Sequence, residues 1–228
     1  MCGRFVRTSP EEVIREAFRV TSTAAVELRP RYSIPPGENV AAVVADADGR
    51  RLGELRWGFL PASARSGSAA ATVINARCET ASRRFPDAFR KRRCLVVADG
   101  FYEWRRVGSS KIPHFVYLTS RRPFAFASLW NRTGADGVAA CTILTCPPND
   151  LVAELHDRMP VVLGPRSFDR WLDPTCAPAD LESLLVPYPA EEMAAHPVST
   201  MVNSARNDSA ECIRPLAEGT LRLVPRPD

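Results

Sequence analysis

The apolar positions of the chain follow two periods. Near the start, Ser9-Pro10-Glu11-Glu12 carries the marks of a helix N-terminus: Ser9 as cap, Pro10 at the first helical position, and Glu12 closing a capping box. Val13, Ile14, Ala17 and Phe18 then fall on one face at helical spacing, running on to Val20. Beyond this point short apolar runs dominate. Residues 39–45 read as a strand, Asp46-Ala47-Asp48-Gly49 as a turn, and residues 51–58 as the returning strand. Residues 94–98, 101–106, 114–119, 124–130 and 138–145 read as further strands, with Asp99-Gly100 as a turn between the first two. Short helices are predicted over 149–156, capped by Asn149, and over 167–172 and 179–185. Residues 29–38, with three prolines, read as irregular, and the Ala/Ser-rich residues 61–71 as a loop. Many strands at short spacing predict an α+β fold. It is a single domain over residues 1–228, built on a curled, mostly antiparallel, barrel-like β-sheet with a few short helices.

Composition narrows the classes. The 228 residues can bury a sizeable core, and 45% hydrophobic with 25% charged residues is ordinary for a soluble globular protein. No apolar run approaches the length of a membrane span, and the opening MCGRFVRTSP lacks the apolar stretch of a secretory signal, so a cytoplasmic location is expected. Seven cysteines with no C-x-x-C pair support neither a disulfide framework nor a zinc site, and no metal or cofactor is expected. Cys141 and Cys146 sit in an apolar run and read as core. The net charge of +4 hides an asymmetry: residues 1–112 carry 20 basic against 12 acidic side chains, residues 113–228 carry 10 against 14. Only Lys91 and Lys111 are lysines, and arginine forks suit phosphate oxygens, although codon usage in a GC-rich genome gives the same bias.

Several positions could carry chemistry. Loss of Met1, common where the second residue is small, would leave Cys2 with an amine and a thiol on adjacent carbons. Their reference pKa values, about 7.7–8.0 and about 8.5, leave both partly nucleophilic near neutrality. Such a 1,2-aminothiol condenses with an aldehyde to a Schiff base and then closes a thiazolidine ring. A bare cysteine at a frayed chain end is otherwise inert. Asn75-Ala76-Arg77 offers an amide and a guanidinium after an apolar run, or simply a polar turn. Six cations fall within residues 83–93, interleaved with Phe85 and Phe89: a nucleic-acid patch, or equally a solvated helix face with both rings turned inward. In Phe101-Tyr102-Glu103-Trp104 a single carboxylate stands among aromatics. Alternation puts Phe101 and Glu103 on one face, where burial would raise the acid toward neutral pH. His156 ends a helix beside Asp157 and Arg158; both the helix end and Asp157 favour its charged form, and capping the helix is its plainer use. Trp57 beside Gly58 is a stacking platform or core packing, and the polar residues 203–208 could rim a site.

Taken in order, Met1-Cys2-Gly3-Arg4-Phe5, Arg31-Tyr32-Ser33-Ile34-Pro35-Pro36, Arg56-Trp57-Gly58, Asn75-Ala76-Arg77-Cys78-Glu79-Thr80, Arg92-Arg93-Cys94-Leu95-Val96, Ala98-Asp99-Gly100-Phe101-Tyr102-Glu103-Trp104, Thr142-Ile143-Leu144-Thr145, His156-Asp157-Arg158-Met159-Pro160 and residues 202–208 resemble the SRAP family of SOS-response-associated peptidases, or abasic-site processing proteins. The resemblance implies recognition of abasic sites in single-stranded DNA and capture of the ring-opened sugar aldehyde as a thiazolidine by the N-terminal cysteine. Carried over, Cys2 is the nucleophile, Asn75 positions its amine or the sugar, Glu103 is the acid/base for Schiff-base formation and reversal, and His156 assists sugar ring opening. Arg4, Arg77 and Arg158 would hold phosphates, and Trp57 and Trp104 would stack on or wedge against bases. The family name also implies removal of residues preceding the cysteine, here Met1 alone. The resemblance implies a monomer with no membrane or metal partner. The Arg31–Glu38 loop departs from the commoner Asn-Ile-Ala-Pro form, and Cys78 replaces a frequent alanine, as packing or as a second reactive group. Two other functions fit the same residues: an N-terminal-nucleophile peptidase using Cys2 with His156, which needs an oxyanion hole, and a non-covalent single-strand binder built on residues 83–93.

Overall fold

A computed structural model describes residues 2–24, 26, 28–59, 72–133 and 138–216; the loop expected over 61–71 lies outside the described residues. In chain order the elements are β1 (Phe5–Arg7), α1 (Glu11–Phe18), β2 (Ser22–Thr23), β3 (Arg31–Ile34), β4 (Asn39–Asp46), β5 (Gly49–Trp57), β6 (Asn75–Arg77), α2 (Cys78–Arg84), α3 (Pro86–Lys91), β7 (Arg93–Ala98) and β8 (Gly100–Val107). They continue with β9 (Ser110–Leu118), β10 (Phe124–Thr133), β11 (Val138–Cys146), α4 (Asp150–Ala153), β12 (Met159–Pro160), β13 (Val162–Leu163), α5 (Pro165–Leu172), α6 (Pro178–Glu182) and β14 (Met193–Pro197). The fold is α+β, with largely antiparallel sheets and short helices.

One sheet runs β14-β9-β8-β1-β3, and the other follows β12-β11-β10-β7-β4-β5-β2. In the second sheet β11 also pairs in parallel with β5, setting Ala140 beside Arg56 and Cys141 beside Trp57. That pairing closes β5, β4, β7, β10 and β11 into a ring, so these strands have no open edge. The five-stranded sheet lays its inner face on this barrel. Phe5 of β1 meets Trp57 and Phe126 edge-on, with ring centroids 5.3 and 5.5 Å apart. Its outer face carries a smaller cluster of Val6, Tyr102, Phe115, Val198, Val202 and Cys212. The alternation expected in β8 is therefore observed, with Phe101 packed in the main core and Tyr102 and Trp104 in the outer cluster.

The chain passes from the barrel to the second sheet at Asp99-Gly100. Asp99 Oδ2 accepts from the Thr8 and Ser9 backbone N–H groups at 2.5 and 2.8 Å, and its Oδ1 accepts from the Ser9 hydroxyl at 2.5 Å. Gly100 is needed for close approach: a Cβ there would lie 2.3 Å from the Phe115 ring and 2.7 Å from the Val116 carbonyl oxygen.

Two local expectations are corrected. Ser9 does not cap α1; its hydroxyl is spent on Asp99, Pro10 is the extended N-cap residue, and the helix starts at Glu11. Within residues 29–38, Arg31–Ile34 is an edge strand on β1, with Phe5 opposite Ile34, Arg7 opposite Arg31 and a register shift between them. Its prolines lie outside the strand, where no ladder donor is needed. Asp208 satisfies the edge by accepting from the Tyr32 and Ser33 N–H groups, at 2.5 and 3.0 Å, and from Arg31 Nε.

Candidate active site

Strand pairing brings the chain start to β8. Phe5 lies opposite Phe101, and the Arg4 carbonyl accepts the Tyr102 N–H at 3.0 Å, which carries Cys2 toward Glu103. From the other side, β6 runs parallel to β11, with Asn75 beside Ile143, so Asn75 stands at the lip of the barrel. Its Nδ2 donates to the Cys2 carbonyl at 2.7 Å. Its Oδ1 is buried and makes no hydrogen bond among the described residues, an acceptor held beside the chain start.

The electrostatics of the cluster follow from burial. Glu103 is 1% exposed. Burial raises it from 4.5 to about 7, against the pull of the positive amino terminus and with a small push from Asp157. The Cys2 thiol is fully buried near the Arg4 carbonyl, 3.8 Å away. Burial, and then the Glu103 charge, push it far above its ordinary value. This corrects the sequence reading: near neutrality the thiol is protonated, and an N-terminal amine would be the first nucleophile at this position. His156 follows α4, its N–H bonded to the Val152 carbonyl at 2.8 Å. Its Nδ1 faces two groups, the Arg158 backbone N–H at 3.1 Å and Asp157 Oδ1 at 2.7 Å. Burial first, and the amino terminus second, lower its pKa despite Asp157, so the imidazolium expected from its neighbours gives way to the neutral ring. The amino terminus thus acts on Cys2, Glu103 and His156 alike. Asn75 is tied to the same chain start by its bond to the Cys2 carbonyl.

A family model described as "SOS response associated peptidase (SRAP)" matches residues 1–205. The chain belongs to the SRAP family. It is 41% identical over 223 residues to the abasic site processing protein YoqW of Bacillus subtilis (strain 168), a match covering 93% of this chain and 99% of that one. It is 28% identical over 226 residues to the abasic site processing protein YedK of Escherichia coli (strain K12), covering 95% and 100%. A crystal structure of a protein from Bacteroides thetaiotaomicron shares the fold with a TM-score of 0.79 at 24% identity, over 93% of this chain and all of that one.

Of the arginines and tryptophans that the SRAP resemblance points to, only some stand open to a ligand. Arg77 is exposed. Arg4 is buried, and its Nη1 donates to Ser33 Oγ at 2.7 Å and to the Val202 carbonyl at 2.9 Å. Arg158 grips Glu79 with both nitrogens, at 2.5 and 2.9 Å, and donates to the Thr145 carbonyl at 2.5 Å. Trp57 is a correction: its ring is fully buried against Phe5 and its Nε1 donates to the Ile74 carbonyl at 2.9 Å, so it packs the barrel and offers no face to a base. Trp104 is half-buried, with Nε1 tied to Asn203 Oδ1 at 2.8 Å.

The basic run divides. Phe85 and Phe89 turn inward while Arg83, Arg84, Arg90 and Lys91 are exposed. Arg93 is buried and donates to the carbonyls of Phe89, Arg90, Trp171 and Asp173. Cys78 is half-buried, and burial holds its thiol up at about 11, which favours packing over reactivity. Among the described residues no group of three or more His, Cys, Asp or Glu could hold a metal ion, and no helix is long and apolar enough to cross a membrane. Glu79 and Thr145 have no role in the sequence reading, and Asn203 has one only as part of a polar rim. Each sits inside a motif quoted for the family, but its partner is remote in sequence.

Proposed function

We propose that this chain senses abasic sites in single-stranded DNA and traps them covalently through Cys2 once Met1 is removed. The observation that carries the reading is the bond from Asn75 to the Cys2 carbonyl beside a Glu103 that is poised near 7 and whose charge bears on the Cys2 thiol. The ring-opened sugar presents an aldehyde, and His156 assists that opening at the sugar hydroxyl. The Cys2 amine attacks the aldehyde carbon while Asn75 Oδ1 accepts a hydrogen bond from it, and an N–H proton passes through water to the former carbonyl oxygen, giving a carbinolamine. Protonated Glu103 gives its proton to the carbinolamine hydroxyl, which leaves as water and yields the protonated imine. The Glu103 carboxylate then takes the thiol proton, sulfur bonds to the imine carbon, and the C=N electron pair falls back on nitrogen, which keeps its proton. The product is a thiazolidine, and the net loss is one water. Protonation of the ring by Glu103 reverses the sequence. Arg77 and the exposed cations of α2 and α3 guide the phosphate backbone, and Trp104 meets a neighbouring base. Arg4 and Arg158 reach phosphate only by giving up their present partners.

Intact mass before and after incubation with an abasic oligonucleotide tests this directly. The expected result is a protein lacking Met1 that gains the mass of the strand less one water, with Cys2→Ala giving no heat-stable adduct. A Cys2→Ala protein that crosslinks normally overturns the proposal. Turnover of a peptide without DNA would favour the peptidase reading, and equal affinity for intact and abasic strands that survives Cys2→Ala would favour simple binding.

A further inference from the structure

Asn75 and His156 stand on separate elements, and one ion pair ties those two elements together. Asn75 opens β6, which continues without a break into α2, and Glu79 lies in the first turn of that helix. His156 and Arg158 belong to the segment between α4 and β12. Both Glu79 oxygens accept from the Arg158 guanidinium, whose side chain is only 11% exposed, and Thr145 of β11 takes a third bond from it. The Arg158 backbone N–H lies 3.1 Å from His156 Nδ1, and Asp157 Oδ1 lies 2.7 Å from the same atom. These two partners exclude each other. A bare Nδ1 accepts the N–H, whereas a protonated Nδ1 donates to the carboxylate.

We infer that Glu79 is a positioning residue for His156: by gripping the Arg158 guanidinium with both oxygens it holds the Arg158 backbone N–H on Nδ1, keeps that nitrogen bare, and leaves the ring proton on Nε2. The same grip fixes the distance between the Asn75 and His156 elements. The inference deepens the proposed function, on which it rests only for what His156 does. The other charges bearing on the ring are Asp157 beside it, Arg106 of β8, and the amino terminus, with Glu103 coupled through Asp157. Arg158 is committed to Glu79 and Thr145, so it serves the imidazole through its backbone.

The test is an NMR titration of the His156 imidazole in the DNA-free protein, comparing wild type, Glu79→Gln and Arg158→Lys. The two readings of Glu79 predict opposite signs. As a simple nearby negative charge, its removal lowers the His156 midpoint. As the anchor of the Arg158 N–H, its removal lets Asp157 capture Nδ1, so the midpoint rises by roughly one pH unit and the neutral ring's proton moves toward Nδ1. Arg158→Lys keeps the charge, loses the two-pronged grip, and is expected to shift the midpoint the same way; it carries the test if Glu79→Gln fails to fold. A midpoint that stays or falls in the folded variant overturns the inference. In a crosslinking assay Glu79→Gln is expected to slow adduct formation roughly tenfold or more, with little further loss when combined with His156→Ala. Additive losses overturn it. A wild-type protein that forms no adduct would overturn the proposed function while leaving the titration result intact.

Discussion

A carboxylic acid buried until it titrates near 7 is a residue-scale device with a cost in stability. Glu103 binds its proton at about 7 in the folded chain against an ordinary 4.5. Between those values the folded state holds more proton than the unfolded state, so stability falls as pH rises across that window. The contribution is fully present below about 4.5, is lost as pH climbs through 7, and amounts to about 3 kcal/mol. Glu103→Gln, neutral throughout, removes that dependence. The difference in melting temperature between variant and wild type should therefore swing toward the variant from pH 4.5 to 7.5, and a constant difference would contradict a buried acid. The same substitution should slow adduct formation about a hundredfold, the scale of general acid–base catalysis. Asn75 works by direct contact. Asn75→Ala removes the hydrogen bond to the Cys2 carbonyl. The expected effect is a loss of about 1–2 kcal/mol of stability in urea melts and a slower capture of aldehyde, because the chain start is no longer held.

At the scale of elements, the corner between β7 and β8 decides whether Glu103 reaches Cys2 at all. Gly100→Ala would place a methyl carbon 2.3 Å from the Phe115 ring and 2.7 Å from the Val116 carbonyl, and the backbone oxygen cannot swing away. The expected cost is about 2–3 kcal/mol, read as a lower urea midpoint with an unchanged slope. Elements of this kind were readable from the sequence where the signal was local. The alternation of Phe101 to Trp104 gave the correct faces, and Asn149 does cap α4, its side chain accepting from the Val152 N–H at 2.9 Å. The signal failed where a partner was distant. Nothing between residues 29 and 38 announces an edge strand, because Asp208 supplies its hydrogen bonds from 175 or more residues away. Arg4 and Arg158 looked like open phosphate ligands because the groups that occupy them, Ser33, Val202 and Glu79, lie far along the chain. Trp57 beside Gly58 is the same two letters whether the ring faces a base or a barrel interior. Only the parallel pairing of β5 with β11 sets it inside.

At the scale of the whole molecule, the excess of positive charge in residues 1–112 takes on a position. Arg93 is withdrawn into the core as a partner for carbonyl groups, while Arg77, Arg83, Arg84, Arg90 and Lys91 stay in solvent on β6, α2 and α3, the elements that follow Asn75. An exposed guanidinium gains from phosphate mainly by releasing condensed counterions, so its contribution appears in the salt dependence of binding. For single strands each phosphate contact adds about 0.7 to the slope of log affinity against log salt. Replacing Arg83, Arg84 and Arg90 together by Ala should lower that slope by about 2 for an undamaged single strand, if each touches one phosphate. The proposed covalent step lies outside this balance. Once the adduct forms, charge no longer governs how long the strand stays, so the triple variant should reach the wild-type yield of crosslink at saturating DNA while needing more DNA to half-saturate its rate. An unchanged slope would place the strand on another face of the molecule. An unchanged half-saturation with a lower final yield would mean that these arginines act on the reacting sugar and not on the encounter.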